Sequence, residues 1–339
     1  MKLVVRSLAL GGILFSAANL FAQTPFQFPT ANHALYEVGN ELKFFAPTSP
    51  DRPWTTGSFG CVRSDGWQMH EGLDILHQHT DRYGEPTDPV LATADGTVMY
   101  VNNKPGLSNY GKYIVIRHLV EGVEIYSLYA HLSEIASGVA TGKAVKAGEV
   151  IATMGRTSNT SERIDKERAH LHFELNVLVN DNYAAWFKKN SAGERNDHGE
   201  WNGQNLDGLD PRDILLAEHS PVKKFSLLAF LQSQTELCRV VVRATNFPYL
   251  KRYAPLVLKN PKADKEGVAG YEIALNYNAV PFALMPRAAS EITGKAKFQL
   301  LSVNAAEYQA HPCRRLVVQH GSRWVLTEKG LRELEMLTY

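Results

Sequence analysis

The chain of 339 residues lacks an excess of charge of either sign. Its 36 lysine and arginine residues are balanced by 35 aspartate and glutamate residues, for a formal net charge of +1. Proteins that bind nucleic acid by neutralising phosphates need a positive excess, so the balance argues against that class of function. The hydrophobic content of 44% and the charged content of 21% are typical of globular proteins. The length predicts two domains rather than one.

The N-terminus lacks an apolar run of comfortable membrane-spanning length. Lys2 and Arg6 precede an uncharged apolar run from Leu8 to Leu20, and Ala22 precedes a polar stretch. This layout predicts a secretory signal peptide over residues 1–22, because a membrane helix needs about 20 apolar residues. An uncleaved membrane anchor is the alternative, since leucine rather than alanine stands at the third position before the cut. We expect an exported protein of the cell envelope, periplasmic or secreted, without stable membrane insertion after cleavage.

Cysteine is scarce, with three residues in the chain. Exported proteins can form disulfides. Cys238 and Cys313 both lie in the last third of the chain, whereas Cys61 lies in the first half. We therefore predict a Cys238–Cys313 disulfide and a buried thiol at Cys61, although spacing does not fix connectivity. No cysteine lies near the signal-peptide cut, which argues against lipid attachment.

Helical periodicity is also scarce between residues 57 and 178. Short runs rich in β-branched and aromatic residues, such as 112–117 and 123–129, alternate with glycine and proline turns. This spacing predicts a mainly β domain over residues 57–178, built as a sandwich or barrel. Residues 89–98 and 144–151 share an apolar–turn–apolar plan, which suggests a duplicated β motif.

The remaining segments are predicted from composition. Residues 23–56 are rich in proline, threonine and phenylalanine, and we expect a leader that packs along the next domain. Residues 179–221 are predicted to form a polar linker and connecting segment, in which Pro211 begins a short helix. Residues 222–339 are predicted to form a second, smaller, β-rich α+β domain of unknown role. Its expected elements are strands at 238–244, 270–276 and 316–320 and a helix at about 327–337.

The stretch Ala169-His170-Leu171-His172-Phe173-Glu174-Leu175 alternates polar and apolar residues with a period of two. That pattern predicts a strand whose apolar side chains face a core while His170 and His172 project together from the other side. Two imidazoles side by side suit metal binding or acid–base chemistry. An isolated His-x-His is more often a polar strand face without function, so the hypothesis needs partners elsewhere in the chain.

His70 and Asp74 are the best candidates for those partners. A spacing of four places both side chains on one face of an extended strand, and Gly72 disfavours a helix there. Two imidazoles and one carboxylate would hold Zn²⁺ and leave its fourth position to water, as in catalytic zinc sites. The spacing leaves open which of His170 and His172 binds the metal and which is free for proton transfer.

His131 ends a predicted strand and is a second candidate base, unless it is a strand-end histidine without a role. Zinc lowers the pKa of a water molecule, and a neutral imidazole nearby can accept its proton as the water attacks a carbonyl. His77 and His79 compete by spacing, but their polar, turn-prone surroundings predict an exposed loop. His118 is predicted to be structural. The other histidines of the first 221 residues lack partners: His33, His198 and His219.

Several separate motifs occur in a fixed order: Phe59-Gly60-x-x-Arg63, His70-x-Gly72-x-Asp74, Pro89-Val90-x-Ala92 with Asp95-Gly96-x-Val98, Tyr110-Gly111, Tyr129-Ala130-His131-Leu132, Val145-x-x-Gly148 and His170-Leu171-His172-Phe173-Glu174. In this order they resemble the lysostaphin-type zinc endopeptidases, which cut peptide bonds in bacterial peptidoglycan. The resemblance covers about residues 57–178.

The resemblance implies an antiparallel β-sheet of the duplicated hybrid motif type, which forms an open groove with Zn²⁺ on its floor. By motif position it implies that His70, Asp74 and His172 bind the metal. It implies that His131 and His170 are the catalytic pair, which polarises the water and either stabilises the tetrahedral intermediate or protonates the leaving amine.

One departure from the family concerns residues 161–168, which are charged where the family has a short stretch of Ser, Thr, Gly and Pro. We expect them on the groove rim, where they would affect subsite preference. The sequence thus predicts an exported zinc metalloendopeptidase acting on peptidoglycan peptides. The alternative is a catalytically inactive peptidoglycan-binding or amidase-activating module, although such relatives have typically lost some of the five site residues. A protease of other secreted proteins is a third hypothesis.

Overall fold

The short β-branched and aromatic runs form strands that pair antiparallel, and the fold is mainly β, as predicted. The structure is a computed structural model that describes residues 26–160 and 164–339, so the predicted signal peptide at 1–22 lies outside the described residues. The strands are β1 (Gly60–Arg63), β2 (Gln68–His70), β3 (Leu73–Leu76), β4 (Pro89–Leu91), β5 (Gly96–Asn102), β6 (Tyr113–Val120), β7 (Val123–Ala130), β8 (Glu134–Ile135), β9 (Ala144–Val145), β10 (Val150–Thr153), β11 (His170–Leu178), β12 (Leu206–Leu209), β13 (Cys238–Val242), β14 (Gly270–Leu275), β15 (Pro281–Arg287), β16 (Phe298–Val303), β17 (Val317–His320) and β18 (Arg323–Leu326).

Short helices connect and cover the sheets. They are α1 (Glu41–Phe44), α2 (Tyr183–Asn190), α3 (Pro211–His219), α4 (Leu227–Gln232), α5 (Pro248–Arg252), α6 (Pro261–Glu266), α7 (Ala305–Ala310) and α8 (Glu328–Leu337). Helix α3 begins at Pro211, as predicted, and the side chain of Asp210 caps it by accepting a hydrogen bond from the N–H of Arg212. Within the described residues, no helix combines the length and apolar character that crossing a membrane requires.

Strand β11 lies inside the largest sheet, whose order is β12-β11-β7-β6-β5-β9, with β3 also paired to β11. On one side, β3 pairs the first half of β11 and β12 pairs the second half, while β7 runs along the other side. All nine residues of β11 are buried. Because both edges of the strand are hydrogen-bonded, the directions of its side chains are fixed.

The two faces of β11 differ in chemistry, as the period of two predicted. Leu171, Phe173 and Leu175 are fully buried in the main hydrophobic core. His170 and His172 project from the opposite face, which we call the site face of the central sheet. The core side thus anchors the strand that positions the two imidazoles.

The leader segment packs against the central sheet through phenylalanine side chains. Phe26, Phe28, Phe44 and Phe45 are nearly or completely buried in the main core. Phe45 also forms an isolated antiparallel bridge with Ile75 of β3. Its burial stabilises the strand that carries Asp74, since burying a phenylalanine side chain contributes about 1.5–3 kcal/mol.

The C-terminal residues form an antiparallel sheet in the order β15-β14-β13-β16 and a hairpin of β17 and β18. The strands predicted at 238–244, 270–276 and 316–320 correspond to β13, β14 and β17, and the predicted final helix corresponds to α8. The sequence pattern missed β15, which contains prolines at its first and sixth positions, and β16, which is largely exposed or half-buried. Both sheets contribute to one contiguous core, and the predicted domain boundaries stay a prediction.

The predicted Cys238–Cys313 disulfide is wrong. Cys61 and Cys313 form the disulfide, with a Cα–Cα distance of 5.4 Å, and Cys238 is the buried free thiol. Cys238 is held in the middle of its sheet between β14 and β16, where burial, with a smaller contribution from Glu236, raises the pKa of its thiol to about 12. Cys313 follows α7 and lies beside β1, so its partner comes from the other half of the chain.

Replacing both Cys61 and Cys313 with serine is expected to lower the free energy of unfolding by about 2–5 kcal/mol, because the disulfide closes a very long loop. The sequence separation is 252 residues. Urea unfolding with and without reductant measures the effect. The reduced wild type should match the double variant, whereas Cys238→Ala should keep its sensitivity to reductant. An unfolding midpoint that does not respond to reductant in the wild type would contradict the pairing.

Candidate metal centre

Three strands bring the predicted metal ligands together. His172 lies on β11 directly opposite Asp74 of β3, and His70 ends β2, which leads into β3 through a tight turn. Gly72 in that turn passes so close to β11 that a Cβ atom would lie 2.3 Å from the carbonyl oxygen of Phe173. A glycine is therefore required for the turn that places His70 and Asp74 on the same side.

The side-chain atoms that could bind a metal form a nearly equilateral triangle. Nε2 of His70 lies 3.1 Å from Oδ1 of Asp74 and 3.1 Å from Nδ1 of His172, and the last two atoms are 3.0 Å apart. Zinc ligands at 2.0–2.1 Å in tetrahedral geometry are about 3.3 Å from one another. The triangle thus fits zinc, and the set of two imidazoles and one carboxylate suits that metal.

Two of these side chains are oriented by contacts on their far sides. Nδ1 of His70 donates a hydrogen bond to the carbonyl oxygen of Ser58 over 2.7 Å, which leaves Nε2 as the unprotonated atom. The guanidinium of Arg63 donates to Oδ2 of Asp74, which leaves Oδ1 for the metal. Burial alone would raise the pKa of Asp74, but His70, His170 and Arg63 beside it hold the pKa well below its usual range.

The imidazole of His172 lies between two buried carboxylates. Its Nδ1 faces Asp74, and its Nε2 lies 2.8 Å from Oε1 of Glu174. A neutral imidazole has one N–H and can donate a hydrogen bond to only one of the two carboxylates. Its other nitrogen contacts the second carboxylate favourably only if a proton or a metal ion lies between them. Burial opposes a proton there, but the hydrogen bonds to Asp74 and Glu174 outweigh it and raise the pKa of His172 to about 10. A metal ion at Nδ1 would take the place of that proton.

Glu174 is itself fixed by two further donors. Oη of Tyr110 donates to Oε1 of Glu174 over 2.7 Å, and Nδ2 of Asn176 donates to Oε2 over 2.8 Å. The chain Tyr110–Glu174–His172 therefore sets the ring orientation of His172, as carboxylates behind metal-binding histidines commonly do.

His131 and His170 lie beside the ligand triangle with their Nε2 atoms free of protons. Nδ1 of His170 donates to the carbonyl oxygen of Arg168 over 2.6 Å, and Nδ1 of His131 donates to that of Thr157 over 2.9 Å. The two ring centroids are 4.9 Å apart. The pKa of each ring is lowered, chiefly by burial, so both are neutral at pH 7 and able to accept a proton.

His131 occupies a strained backbone position directly after β7. Its φ of 62° lies in the left-handed region, which non-glycine residues rarely adopt. Its N–H donates to the carbonyl oxygen of Tyr110 over 2.9 Å. Such positions persist when the surrounding structure fixes them, and they cluster at functional sites.

The other histidines that the sequence weighed lie away from this triangle. His79 has a side chain that is 70% exposed and contacts Asp88, which fits the predicted loop. His118 is fully buried between the carbonyl oxygen of Asp95 and Oγ of Ser127, and burial lowers its pKa to about 4. Its structural role stays a prediction, which these buried contacts support. Among the described residues, one group of His, Cys, Asp and Glu side chains could hold a metal ion: His70, Asp74 and His172.

Sequence reasoning assigned no role to the residues that orient the ligands. Glu174 stands two residues after His172, so the same period of two that grouped the histidines places it on the site face. The position of Glu174 on this face was therefore predictable from the sequence. Arg63 and Tyr110 belong to recognisable motifs, but their contacts with Asp74 and Glu174 depend on the packing of distant segments.

Of the charged stretch at 161–168, the structure describes residues 164–168. Nη1 of Arg156 donates to the carbonyl oxygen of Ile164, and the same guanidinium pairs with both carboxylate oxygens of Glu85 over 2.8 Å. The carbonyl of Arg168 holds His170. The described part of the stretch thus borders the metal centre, and its place on a groove rim stays a prediction.

Comparison with known families agrees with this geometry. The model of peptidase family M23 matches residues 68–185, which include both ends of the ligand set, His70 and His172. This stretch is a peptidase family M23 domain. The predicted lysostaphin-type family is therefore confirmed for this part of the chain.

Curated relatives match about a third of this chain. The DD-carboxypeptidase/endopeptidase Mpg of Neisseria meningitidis serogroup B is 37% identical over 112 residues, which are 33% of this chain and 21% of that protein. The murein hydrolase activator NlpD of Escherichia coli K12 is 37% identical over 106 residues, 31% of this chain and 22% of that protein. The chain thus spans about a fifth of the length of either relative.

Solved structures also match about a third of this chain. A zinc containing peptidase from Vibrio cholerae is 33% identical, with 32% of this chain and 26% of that chain covered and a TM-score of 0.23. The catalytic domain of lysostaphin from Staphylococcus simulans is 28% identical, with 35% of this chain and 74% of that chain covered and a TM-score of 0.25. Scores this low support no conclusion about the whole chain.

Replacing Glu174 with glutamine is expected to weaken zinc binding by about 10–100-fold, the usual cost of losing a contact behind a metal ligand. The amide keeps the shape but removes the charge that favours the Nε2–H of His172. Competition with a zinc-binding dye measures the affinity. Glu134→Gln, on an exposed residue of the same domain, is the matched control and should leave the affinity unchanged. Equal affinities for both variants would show that Glu174 does not support the ligand.

Proposed function

We propose that this protein is an exported zinc-dependent endopeptidase that hydrolyses peptide bonds in bacterial peptidoglycan. Its substrates would be cross-links or stem peptides, which places its action in the cell envelope. One observation carries the proposal. The ligand atoms of His70, Asp74 and His172 lie 3.0–3.1 Å from one another, and two neutral imidazoles stand beside them with unprotonated Nε2 atoms.

The residues of the site support distinct roles in amide hydrolysis. Zinc, when held by His70, Asp74 and His172, supplies a Lewis acid that polarises the scissile carbonyl and activates a water molecule. Nε2 of His170 lies 3.5 Å from Oδ1 of Asp74, and in our proposal it accepts the proton of the attacking water. In our proposal His131 stabilises the tetrahedral intermediate and protonates the leaving amine, which needs a proton when the C–N bond breaks.

The shielding of the site supports the same assignment. His70, Asp74, His170 and His172 are each no more than 5% exposed. Water is largely excluded from such a site, which strengthens the interactions among charges inside it.

A second candidate function is that of a non-catalytic module that binds peptidoglycan or activates a partner amidase. The observation in its favour is the 37% identity to a protein named a murein hydrolase activator. Against it, the five residues of a hydrolytic site are all present in this chain, and each is held in an orientation that suits its role.

Digestion of purified sacculi by the zinc-loaded protein tests the proposal, with the released peptides identified by mass spectrometry. We expect peptides with new termini, an end to their release when a chelator removes zinc, and recovery when zinc is restored. A zinc-loaded protein that binds sacculi without releasing peptides would contradict the proposed enzymatic function. If a cell-wall amidase then became active only in its presence, the activating module would be the better conclusion.

A further inference from the structure

The site face of the central sheet continues beyond the metal centre as an apolar floor. On β7, the residues opposite His172, Glu174 and Asn176 are Ala130, Leu128 and Tyr126. Tyr126 and Leu128 cluster with Tyr113 and Val115 of β6. The residues named on β6 and β7 are therefore continuous with the metal ligand along one surface.

This floor is almost completely covered. Tyr113, Val115 and Leu128 have no exposed surface, and Tyr126 is 2% exposed. The cover includes residues 198–205 of the connecting segment, two short 3₁₀ turns that we call the cover segment. The sequence pattern predicted a polar linker here and gave no sign that it would lie on a sheet.

Much of the contact between cover and floor is polar. Oη of Tyr113 donates to the backbone carbonyl of Trp201 over 3.1 Å, and Oη of Tyr100 lies 2.9 Å from Nδ1 of His198. The ring centroids of Tyr126 and Trp201 are 5.8 Å apart. Gly203 rests on Tyr110, since a Cβ atom there would lie 2.6 Å from Oη of that tyrosine. The cover thus reaches the residue that contacts Glu174 behind the metal ligand.

The cover segment also buries polar atoms without satisfying them. Nε2 of His198 and Oε2 of Glu200 are buried and have no hydrogen-bond partner within residues 26–160 and 164–339. A buried polar atom without a partner is destabilising, and displacement of the cover would return both atoms to water. These two side chains therefore weaken the seal over the apolar floor, whereas Asn205 holds the end of the segment through hydrogen bonds with Asn180.

A cavity of about 800 Å³ lies at the far side of the cover segment from Tyr110. Trp201 and Tyr126 line it together with charged side chains of both signs: Arg117, Lys251, Arg252, Glu124, Asp181 and Glu200. Gly203 lies against Tyr110, whose hydroxyl group bonds to Glu174 behind His172, while Trp201 forms part of the cavity wall. The cover segment consequently separates the metal centre from the cavity along the site face.

We propose that the cover segment occupies a part of the substrate groove and that a long peptidoglycan peptide displaces it to bind. The choice of a peptidoglycan peptide as the ligand rests on the proposed function. A peptide carbonyl would replace that of Trp201 as the acceptor for Tyr113, so the exchange preserves the hydrogen bond. The lifted cover would join the metal centre to the cavity, where Arg117 pairs with Glu124 and the ammonium of Lys251 offers a charge for a peptide carboxylate. The segment thereby acts as a built-in restraint on hydrolysis.

Cutting the chain beside the cover tests this inference in the full-length protein. A specific protease site is inserted after Gly193, in an exposed turn that precedes the cover segment. After cutting, we expect hydrolysis of a cross-linked peptide to rise by at least about tenfold, with zinc content unchanged. Amide hydrogen exchange within residues 199–204 should also become faster. The same site inserted after Gly138, in another exposed turn, is the control and should change neither quantity.

A point variant gives an independent readout of the same restraint. His198→Ala removes the contact with Tyr100 and should also increase amide exchange in residues 199–204, whereas His320→Ala, on an exposed histidine, should not. If cutting the chain and His198→Ala both leave exchange and hydrolysis unchanged, the cover is a fixed part of the fold and the inference is wrong. Faster exchange without faster hydrolysis would equally overturn a restraint on catalysis.

Exchange measurements separate this inference from the proposed enzymatic function. If the zinc-loaded wild type and the cut protein both fail to hydrolyse peptidoglycan, the proposed enzymatic function is refuted. Exchange in residues 199–204 can then be measured with a soluble peptidoglycan peptide at saturation. Faster exchange on binding supports a displaceable cover, and unchanged exchange on a bound peptide contradicts it.

Discussion

Replacing His131 with alanine is expected to lower the rate of peptidoglycan peptide hydrolysis by about 10²–10⁴-fold, the usual contribution of one general acid or base. The ring donates from Nδ1 to the carbonyl oxygen of Thr157, which leaves Nε2 for the proton transfer that we propose. Alanine removes that atom and none of the metal ligands. Zinc content, measured by elemental analysis, should therefore stay at the wild-type level while the rate on purified sacculi falls.

His79→Ala is the matched control for this variant. Its side chain is 70% exposed and lies outside the ligand triangle, so both activity and zinc content should be unchanged. Wild-type hydrolysis by His131→Ala would remove the residue from the mechanism. A parallel loss of zinc and activity would show that His131 acts by supporting the metal rather than by moving protons.

The central strand of the site was predictable because its pattern is local. A period of two in residues 169–175 determines which side chains face the core, and burial of Leu171 and Phe173 fixes that choice in the folded protein. The spacing of His70 and Asp74 is local in the same way. The convergence of the two segments is not local, and it was predicted through the order of motifs that resembles a family.

Features that depend on packing between distant segments were not predictable from spacing. The partner of Cys313 is 252 residues away in the chain, and a choice based on proximity in sequence selected Cys238 instead. The cover segment has the composition of a solvated linker, yet its backbone carbonyl and histidine bond to the tyrosines of a sheet. Polar residues reveal such contacts only when the folded surface opposite them is known.

The greatest loss of zinc is expected from His172→Ala. Nδ1 of His172 is one corner of the ligand triangle, and its removal leaves His70 and Asp74, whereas a catalytic zinc site needs three protein ligands. Because loss of a contact behind a ligand already costs about 10–100-fold, loss of the ligand should weaken binding by more than about 100-fold. Zinc content after dialysis should fall to the level of a protein without a metal site.

Thermal unfolding gives a measurement of this loss that does not depend on activity. Zinc at about 1,000 times its dissociation constant stabilises the wild type by about 4 kcal/mol, because it binds the folded state. The melting temperature of His172→Ala should not respond to the same zinc concentration. The variant also leaves the buried carboxylates of Asp74 and Glu174 without the imidazole between them, so its melting temperature should be lower even without zinc.

His170→Ala is the sharpest control because the two histidines are so alike. They lie two residues apart on the site face of β11 and are 4% and 5% exposed. Their surroundings differ: Nδ1 of His170 is occupied by the carbonyl of Arg168, while Nδ1 of His172 points to Asp74 and His70. His170→Ala should therefore keep its zinc and its zinc-dependent stabilisation while losing hydrolysis. Zinc lost from His170→Ala and kept by His172→Ala would reverse the roles of the two residues.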